Sequence, residues 1–154
     1  MKKTVIILGA SGVVGHSAAQ EFLDGGDCDV ITVSRRKPEL DTSKPFTHIS
    51  VDLRDTDECH RIFSAMPQVT HVVYAALYEK PGLIAGWSET DQMETNLQML
   101  RNLMEPLTSV AKGLRHISLL QGTKAYGIHL HPMPIPARER APRDDHPNFY
   151  WLQE

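Results

Sequence analysis

The sequence has no long apolar run, few cysteines and no surplus of charge of one sign. None of its hydrophobic runs approaches the roughly 18 residues that a membrane-spanning helix needs. Sixteen Lys and Arg residues stand against nineteen Asp and Glu residues, and no basic stripe dominates, so a nucleic-acid surface is not expected. The two cysteines, Cys28 and Cys59, make neither a disulfide framework nor a metal-binding spacing. We expect both to be reduced, structural thiols.

The chain has the size and composition of a single globular domain. It contains 154 residues, of which 41% are hydrophobic and 23% are charged, close to the average soluble protein. Its start, MKKTVIILGASG, has a basic tip and an apolar run as a signal peptide does. The run is too short, however, and a glycine loop follows instead of a cleavage site. We therefore predict a first strand there and a cytoplasmic protein.

Strand patterns alternate with helical patterns along the first 120 residues. Strands are predicted at 4–8, 30–34, 47–51, 70–76 and 114–120, and helices at 12–23, 55–65 and 88–109. The first helix is expected to bury an apolar stripe and to end at a glycine; the stripe comprises Val13, Val14, Ala18, Ala19, Phe22 and Leu23. Pro106 is expected to kink or close the third helix. The alternation predicts an α/β fold, a Rossmann-like doubly wound parallel sheet of about five strands.

The composition changes after Leu120. Five of the ten prolines lie between Pro132 and Pro147, which is too dense for a helix interior or a central strand. A long, functional loop is therefore predicted. Residues 148–154 are typical of the start of a helix, with Asn148 as its cap. Because a helix that stops so soon buries little, we expect the fold to be incomplete at the C-terminus.

A glycine pattern, GxxGxxG, follows the first strand and opens the first helix. Gly9 allows the tight turn, Gly12 lets the backbone approach a pyrophosphate, and Gly15 lets the helix pack close to the strand. Ser11 and Val13 belong to the same loop. The helix N-terminus adds N–H groups and the positive end of the helix dipole. This context predicts a dinucleotide site; the alternative is a glycine-rich turn without a ligand.

The end of the second strand favours NADPH over NADH. Ser34, Arg35 and Arg36 stand where an NAD site would place an acidic residue against the ribose 2′-hydroxyl. A guanidinium can hold a 2′-phosphate with two charge-assisted hydrogen bonds, whereas a carboxylate would repel it. We therefore predict NADPH as the cofactor. The alternative is a solvated pair of surface arginines.

Residues after the other strands are expected to complete the cofactor site. Asp52 is predicted to accept a hydrogen bond from the adenine amino group, and Leu53 to pack on the ring. The alternative for Asp52 is the cap of the next helix. Ala75 and Ala76 leave room for the cofactor, although core packing explains them nearly as well. The predicted set is completed by Leu120 and Tyr150.

Three segments near the end of the chain resemble one enzyme family. They are LLQGTKAYG at 119–127, Pro142-Arg143, and Asn148-Phe149-Tyr150-Trp151. They resemble the progesterone 5β-reductase and iridoid synthase-like branch of the extended short-chain dehydrogenases/reductases. GASGVVG, SRR, VDLRD, THVVYAA and ETNLQMLRNL occur in matching order, so the resemblance covers the whole chain. It implies that residues 1–154 are an NADP-binding Rossmann domain, the N-terminal portion of such an enzyme without its substrate region.

The resemblance also implies an activity and a catalytic pair. Members of the branch use NADPH to reduce the carbon–carbon double bond of conjugated enones. The lysine of the G-x-K-x-Y pattern falls on Lys124, and the tyrosine of the N-F-Y motif falls on Tyr150. Tyr150 would donate a hydrogen bond to the developing enolate oxygen, while Lys124 would stabilise the anion and lower the pKa of the tyrosine. From the residues alone, a core aromatic and a solvated loop lysine are the favoured explanation of the two positions, and only the resemblance favours the catalytic one.

Two other functions stay open on the sequence. One is a sugar-nucleotide epimerase or dehydratase, but the Tyr-x-x-x-Lys pair is missing because Glu154 occupies the lysine position. The other is a non-catalytic NADP(H)-binding module or redox sensor. We predict an NADPH-dependent oxidoreductase acting on a small enone or carbonyl substrate, with weak or absent turnover by this chain alone. A homodimer through the helix at 88–109 is expected by analogy.

Two further expectations concern polar residues. The eight histidines show no metal-ligand spacing, so no bound metal is predicted. Asn96 matches an asparagine on the long helix of the family. It is expected either to bond strand backbone near the cofactor or to be an ordinary helix residue.

Overall fold

A computed structural model describes residues 2–81, 89–141 and 146–154. Its five strands are β1 (Lys3–Leu8), β2 (Cys28–Val33), β3 (Thr47–Ile49), β4 (His71–Tyr74) and β5 (His116–Leu119). They form one parallel sheet in the order β3-β2-β1-β4-β5. The predicted Rossmann-like α/β fold is therefore confirmed, and each predicted strand is present with somewhat different ends.

The C-terminal ends of the five strands lie in one row across the sheet. Leu8 pairs with Val33 on one side and with Tyr74 on the other, Tyr74 pairs with Leu119, and Val33 pairs with Ile49. The residues that follow these ends therefore share one edge of the sheet, where ligands bind in open α/β folds. Those next residues are Gly9, Ser34, Ser50, Ala75 and Leu120.

The central strand is buried on both faces. Val5, Ile6, Ile7 and Leu8 of β1 are at most 1% exposed. A strand between two parallel neighbours is covered on each face, so apolar residues are favoured at consecutive positions along it. The continuous run TVIIL thus predicted both the strand and its place inside the fold.

Helix α1 (Val13–Gly25) follows β1, and glycine ends it as predicted. Gly26 has φ +72°, and its N–H donates to the carbonyl of Phe22. The predicted stripe is wrong at its start, because Val13 and Val14 are 87% and 54% exposed. The buried residues are spaced four apart, at Gly15, Ala19 and Leu23.

Two further helices are α2 (Thr56–Phe63) and α3 (Thr90–Val110). The predicted start of the long helix at Ser88 lies outside the described residues. Closure of that helix at Pro106 is wrong, because α3 continues to Val110. Proline removes one backbone hydrogen bond. The adjacent Leu103 and Leu107 are fully buried, so tertiary packing stabilises the helix through this position.

The chain divides into two compact units. The first comprises Met1–Leu77 and Gln98–Leu120 and holds the whole sheet; the second comprises Tyr78–Leu97 and Gln121–Glu154. In the second unit, the segment predicted as loop contains a 3₁₀ helix at Thr123–Tyr126, and α4 (Phe149–Gln153) follows later. Asn148 caps α4 as predicted. Among the described residues, no helix combines the length and apolar character needed to span a membrane.

Candidate functional site

The backbone of the loop between β1 and α1 lies directly against the backbone that follows β4 and against the first turn of α1. Gly9 has φ +77°, and a methyl group added there would lie 2.6 Å from the carbonyl oxygen of Ala75. A methyl group on Gly15 would collide with the carbonyl of Gly9. The Gly9 N–H donates to the carbonyl of Val33 at 2.9 Å. Glycine is therefore required at both positions for the close approach of strand, loop and helix.

The N-terminus of α1 is suited to an anionic ligand. Its N-cap is Gly12, and within the described residues no side chain caps it and no acidic residue occupies its first turn. The first N–H groups of a helix have no intrahelical partner and carry the positive end of its dipole. Ser11, Gly12 and Val13 are all exposed. A pyrophosphate fits this loop in both charge and space.

The turn after β2 presents two exposed guanidinium groups. The hydroxyl of the buried Ser34 donates to the carbonyl of Arg36 at 2.6 Å, and the hydroxyl of Ser50 donates to the carbonyl of Arg35 at 2.9 Å. These bonds fix the backbone of the turn, while the side chains of Arg35 and Arg36 are exposed. The turn can therefore offer two cations to a phosphate.

Asp52 is paired with an arginine of its own loop. Arg54 donates to the two oxygens of Asp52 from Nε at 3.0 Å and from Nη2 at 2.6 Å. This hydrogen bonding lowers the pKa of Asp52 to about 2, with a smaller contribution from the charge of Arg35. The interpretation of Asp52 as a helix cap is wrong, because the side chain of Asp55 accepts from the N–H of Glu58 and caps α2. The adenine contact stays a prediction.

The turn at Leu53 is held from α3 by a residue that sequence reasoning missed. Leu53 is 6% exposed, and its carbonyl accepts a hydrogen bond from Nδ2 of Asn102 at 2.8 Å. Asn102 is 4% exposed, and Nε2 of Gln98 donates to its Oδ1 at 2.8 Å. The available signal was an amide pair spaced four apart on the helix, Gln98 and Asn102.

All of the predicted cofactor residues except Tyr150 lie in the first unit. The sheet register brings the glycine loop, the arginine turn and the Asp52 loop to one edge. Ala75 and Ala76 follow β4 and are half-buried, and Leu120 follows β5 and is 40% exposed. These residues form the candidate cofactor edge of the sheet.

The predicted catalytic pair lies in the second unit. Lys124 is on the 3₁₀ helix and Tyr150 is in α4. Oδ1 of Asn148 accepts the N–H of Tyr150 at 3.0 Å, and Nδ2 of Asn148 donates to the carbonyl of Lys124 at 2.8 Å. The half-buried ring of Tyr150 packs against the buried Met93 of α3. The side chain of Asn148 therefore connects the backbone of Lys124 with the backbone of Tyr150.

The surroundings of Tyr150 favour its protonated form. Burial raises the pKa of the phenol above its usual value, the charge of Glu79 raises it further, and a hydrogen bond from the Gly122 backbone opposes the rise. The predicted lowering of this pKa is wrong in this structure, because the loss of hydration is the largest effect. Burial also lowers the pKa of Lys124, opposed by Glu79. The protonated phenol is a hydrogen-bond donor at neutral pH.

Gly122 is a second residue that sequence reasoning missed. A methyl group added there would lie 3.0 Å from the phenol oxygen of Tyr150. The missing side chain thus allows the backbone N–H to reach that oxygen. The sequence did contain a sign of this role, because Gly122 is the glycine of the G-x-K pattern that ends at Lys124.

Two roles were predicted for Asn96, a bond to strand backbone near the cofactor or none. Its side chain does bond to backbone, but to that of Tyr78, which follows the end of β4. Asn96 is fully buried, and its side chain accepts from the N–H of Tyr78 at 2.9 Å and donates to the carbonyl of Tyr78 at 2.8 Å. One helical turn earlier, Oε1 of the fully buried Gln92 accepts the N–H of Lys80 at 2.8 Å. These amides hold the segment that contains Glu79.

Pro142 and Arg143, which carry part of the family resemblance, lie outside the described residues. Within the described ranges, no group of three or more His, Cys, Asp or Glu side chains is arranged to hold a metal ion.

Solved structures share this fold. The enzyme WbmH of Bordetella bronchiseptica in complex with NAD+ matches 99% of this chain and 50% of its own, with a TM-score of 0.74 and 20% identity. A short-chain dehydrogenase from Streptomyces avermitilis matches 70% of this chain and 43% of its own, with a TM-score of 0.55 and 20% identity. At such identities the likeness concerns the fold alone.

Curated relatives and a family model match the sequence itself. A 3-oxo-Delta(4,5)-steroid 5-beta-reductase of Arabidopsis thaliana is 31% identical over 99% of this chain, and an (S)-8-oxocitronellyl enol synthase of Camptotheca acuminata is also 31% identical over 99%. These relatives confirm the predicted resemblance, and the chain spans about 40% of their length. The model described as NAD dependent epimerase/dehydratase family matches residues 5–149. The chain therefore belongs to the NAD dependent epimerase/dehydratase family.

Proposed function

We propose that the protein is an NADPH-dependent reductase of the carbon–carbon double bond of conjugated enones. Its similarity to a steroid 5-beta-reductase and an enol synthase supports this reaction class. The absence of lysine four residues after Tyr150 disfavours the mechanism of ordinary short-chain dehydrogenases, because Glu154 stands there.

The candidate cofactor edge would hold NADPH. The backbone of Gly9, Gly12 and the first turn of α1 would bind the pyrophosphate. Arg35 and Arg36 would bind the 2′-phosphate, which NADH lacks. When bound, NADPH supplies a hydride to the β-carbon of the enone.

The role of Tyr150 follows from where charge develops during this reduction. As the β-carbon gains the hydride, the electron pair of the double bond shifts toward the carbonyl oxygen of the substrate. The phenol of Tyr150 donates a hydrogen bond to that oxygen, and its own oxygen accepts from the N–H of Gly122. One such donor stabilises a transition state by roughly 3–4 kcal/mol. Lys124 adds a positive charge that favours the enolate.

The observation that carries this proposal is the environment of the Tyr150 phenol. The phenol is half-buried against Met93, bonded to the Gly122 backbone, and connected through Asn148 to Lys124. A buried, protonated phenol with a fixed orientation is what donation to an enolate oxygen needs.

The activity is tested by following NADPH oxidation with 2-cyclohexenone and with a steroid enone. Tyr150→Phe removes only the phenol oxygen and is expected to lower kcat by about a hundredfold, and Lys124→Ala is expected to lower it as well. Tyr126→Phe makes the same change on the adjacent 3₁₀ helix and is expected to keep the activity. Unchanged turnover in both Tyr150→Phe and Lys124→Ala would overturn the assigned roles.

The cofactor is tested separately by titrating the protein with NADPH and NADH. Replacing both Arg35 and Arg36 by serine is expected to weaken NADPH binding about ten- to a hundredfold, as for the loss of a charged hydrogen bond. NADH is the matched control, because it lacks the 2′-phosphate and its affinity should not change. Equal affinity of the unaltered protein for both would exclude the preference for NADPH. Tight NADPH binding is expected of a reductase and of a non-catalytic NADP(H)-binding module alike, so the effect of Tyr150→Phe and Lys124→Ala on turnover separates the two functions.

A further inference from the structure

We propose that Asn148 is a positioning residue that sets Tyr150 and Lys124 in register with each other. This role rests on the proposed function, because it matters only if those two side chains act together. Asn148 precedes α4 and is 5% exposed. The sequence predicts Asn148 as the N-cap of α4. That role uses the amide oxygen, Oδ1, and leaves the amide nitrogen, Nδ2, unexplained.

The two polar atoms of the Asn148 amide bond to different segments. Oδ1 accepts the N–H of Tyr150 at 3.0 Å and so begins α4. Nδ2 donates to the carbonyl of Lys124 at 2.8 Å, across 24 residues of sequence. Serine, aspartate or asparagine can each cap a helix. Of these, only asparagine also supplies the N–H donor.

The hydrogen bond from Asn148 to the Lys124 carbonyl holds the whole short turn that carries Lys124. Gly122 is the N-cap of the 3₁₀ helix that carries Lys124, and the Gly122 carbonyl accepts the N–H of Ala125 at 2.9 Å. Holding the Lys124 carbonyl therefore holds this short turn as a unit. The same turn brings the Gly122 backbone to the phenol oxygen of Tyr150, where a methyl group on Gly122 would lie only 3.0 Å away. Asn148 thus sets both ends of the contact between Gly122 and Tyr150.

Another side chain also connects the turn to α4, but at the surface. Nε2 of the exposed Gln121 lies 3.4 Å from the carbonyl of Tyr150 and 2.7 Å from Oε1 of Glu154. The bond to the carbonyl is long, and both side chains are in solvent, where such bonds contribute little. The buried amide of Asn148 is therefore expected to stabilise the connection between the two segments more than this surface contact does.

The experiment separates the two bonds of Asn148 by amide hydrogen exchange, followed by NMR on the full chain. Asn148→Ser keeps a cap acceptor for the Tyr150 N–H but removes the donor to Lys124. We expect the Tyr150 amide to stay protected and the Gly122 amide to exchange about five- to tenfold faster, the equivalent of one hydrogen bond. Asn148→Asp also keeps the cap but places a carboxylate oxygen, which is an acceptor only, against the Lys124 carbonyl, so the Gly122 amide should exchange at least as fast as in Asn148→Ser. Asn148→Ala should speed exchange at both amides.

A matched control is available in the first unit. Asn102 is also a buried asparagine whose Nδ2 donates to a loop carbonyl at 2.8 Å, that of Leu53. Asn102→Ser should leave the exchange of the Gly122 and Tyr150 amides unchanged. Protection of the β1 amides reports in every variant that the sheet is folded. An unchanged Gly122 amide in both Asn148→Ser and Asn148→Asp would overturn the proposal and leave Asn148 as a cap alone.

Exchange needs neither cofactor nor substrate, so its outcome is independent of whether the protein reduces enones. Where turnover is present, Asn148→Ser is expected to lower kcat about five- to tenfold, since the donor to the enolate is displaced, and to leave the KM for NADPH unchanged. A raised KM for NADPH with unchanged kcat would contradict a role at Tyr150. Because weak or absent turnover is expected of this chain alone, faster Gly122 exchange without turnover would still support the structural connection, whereas equal affinity for NADPH and NADH would count against the proposed function.

Discussion

The two units of this chain are stabilised in different ways. The interior of the first unit is mainly apolar, with Ile6, Ile7 and Leu8 fully buried in the sheet. Its buried polar side chains are Thr4, Thr32, Ser34, Thr70 and Asn102. In the second unit, Met93 is the single buried apolar side chain among the described residues, whereas the buried polar side chains are Gln92, Asn96 and Asn148. Apolar burial holds the first unit, and buried amides bonded to backbone hold much of the second.

This difference has consequences for how each unit responds to change. Apolar packing is non-directional, so it tolerates small shifts of side chains provided that volume is conserved. A buried amide bonded to backbone is directional, and removing it leaves backbone groups without partners. The first unit should therefore be sensitive to added volume, and the second to lost hydrogen bonds.

The largest effect is expected for added volume in the first unit. Gly15→Ala places a methyl group against the carbonyl of Gly9, which is backbone and cannot rotate away. We expect a loss of about 2–3 kcal/mol in the free energy of unfolding, together with loss of NADPH binding because the loop must move. Denaturant unfolding and a cofactor titration measure the two effects.

Gly25→Ala is the matched control in the same helix. No atom lies within 4 Å of a methyl group added at Gly25, so this change is expected to be neutral or slightly stabilising through helix propensity. Equal destabilisation by both changes would contradict the dependence on space at Gly15.

The fold was predictable because hydrophobic pattern alone determines most of it. The run TVIIL could occupy only a strand covered on both faces, and the glycine loop after it fixes where the first helix begins. The pattern also predicted the C-terminal end of α3 to within one residue, whereas closure of that helix at Pro106 was wrong because packing outweighed a local rule. It failed at Val13 and Val14, because two adjacent valines do not reveal that the helix buries Gly15 instead.

The candidate site was predictable only in part. Motifs located Lys124 and Tyr150, since their types and order are specific. The roles of Gly122, Asn102 and the second bond of Asn148 depend on which backbone groups come within hydrogen-bond distance. Such distances arise from the fold, and a sequence does not display which carbonyl an amide will meet across 24 or 49 residues.

A second prediction tests the loss of hydrogen bonds in the second unit. Asn96→Ala removes both bonds to the backbone of Tyr78 and is expected to cost about 2 kcal/mol of local stability. Amide exchange at Tyr78 and Lys80 should rise, while the amides of β1 stay protected. Asn102→Ala is the matched change in the first unit and should affect the Leu53 turn instead. Uniform loss of protection across both units would contradict independent stabilisation.

A smaller effect concerns the pKa of Tyr150. Because burial and Glu79 raise it, the neutral phenol contributes stability below the ordinary tyrosine pKa of about 10, and this contribution is lost as the pH rises through the folded value. Glu79→Gln is expected to lower the pKa of Tyr150 only slightly, since an exposed charge is screened. Tyrosinate absorbance, with Tyr150→Phe subtracted, measures the shift. Glu105→Gln on α3 is the control, and a rise in Glu79→Gln would contradict the assigned sign.

The smallest effect is expected from a polar contact of the first unit, which lies at its surface. Arg54 holds the pKa of Asp52 at about 2, below the ordinary value of about 3.9, so the pair contributes stability above pH 4 and loses it as the pH falls toward 2. The two side chains are 45% and 35% exposed, which limits the contribution to less than about 1 kcal/mol. Arg54→Gln should therefore lower the free energy of unfolding slightly at pH 6, and the difference from the unaltered protein should vanish near pH 2. Urea unfolding at several pH values measures the difference in the free energy of unfolding between Arg54→Gln and the unaltered protein. If that difference grew toward low pH, the first unit would depend on polar contacts more than its apolar interior suggests.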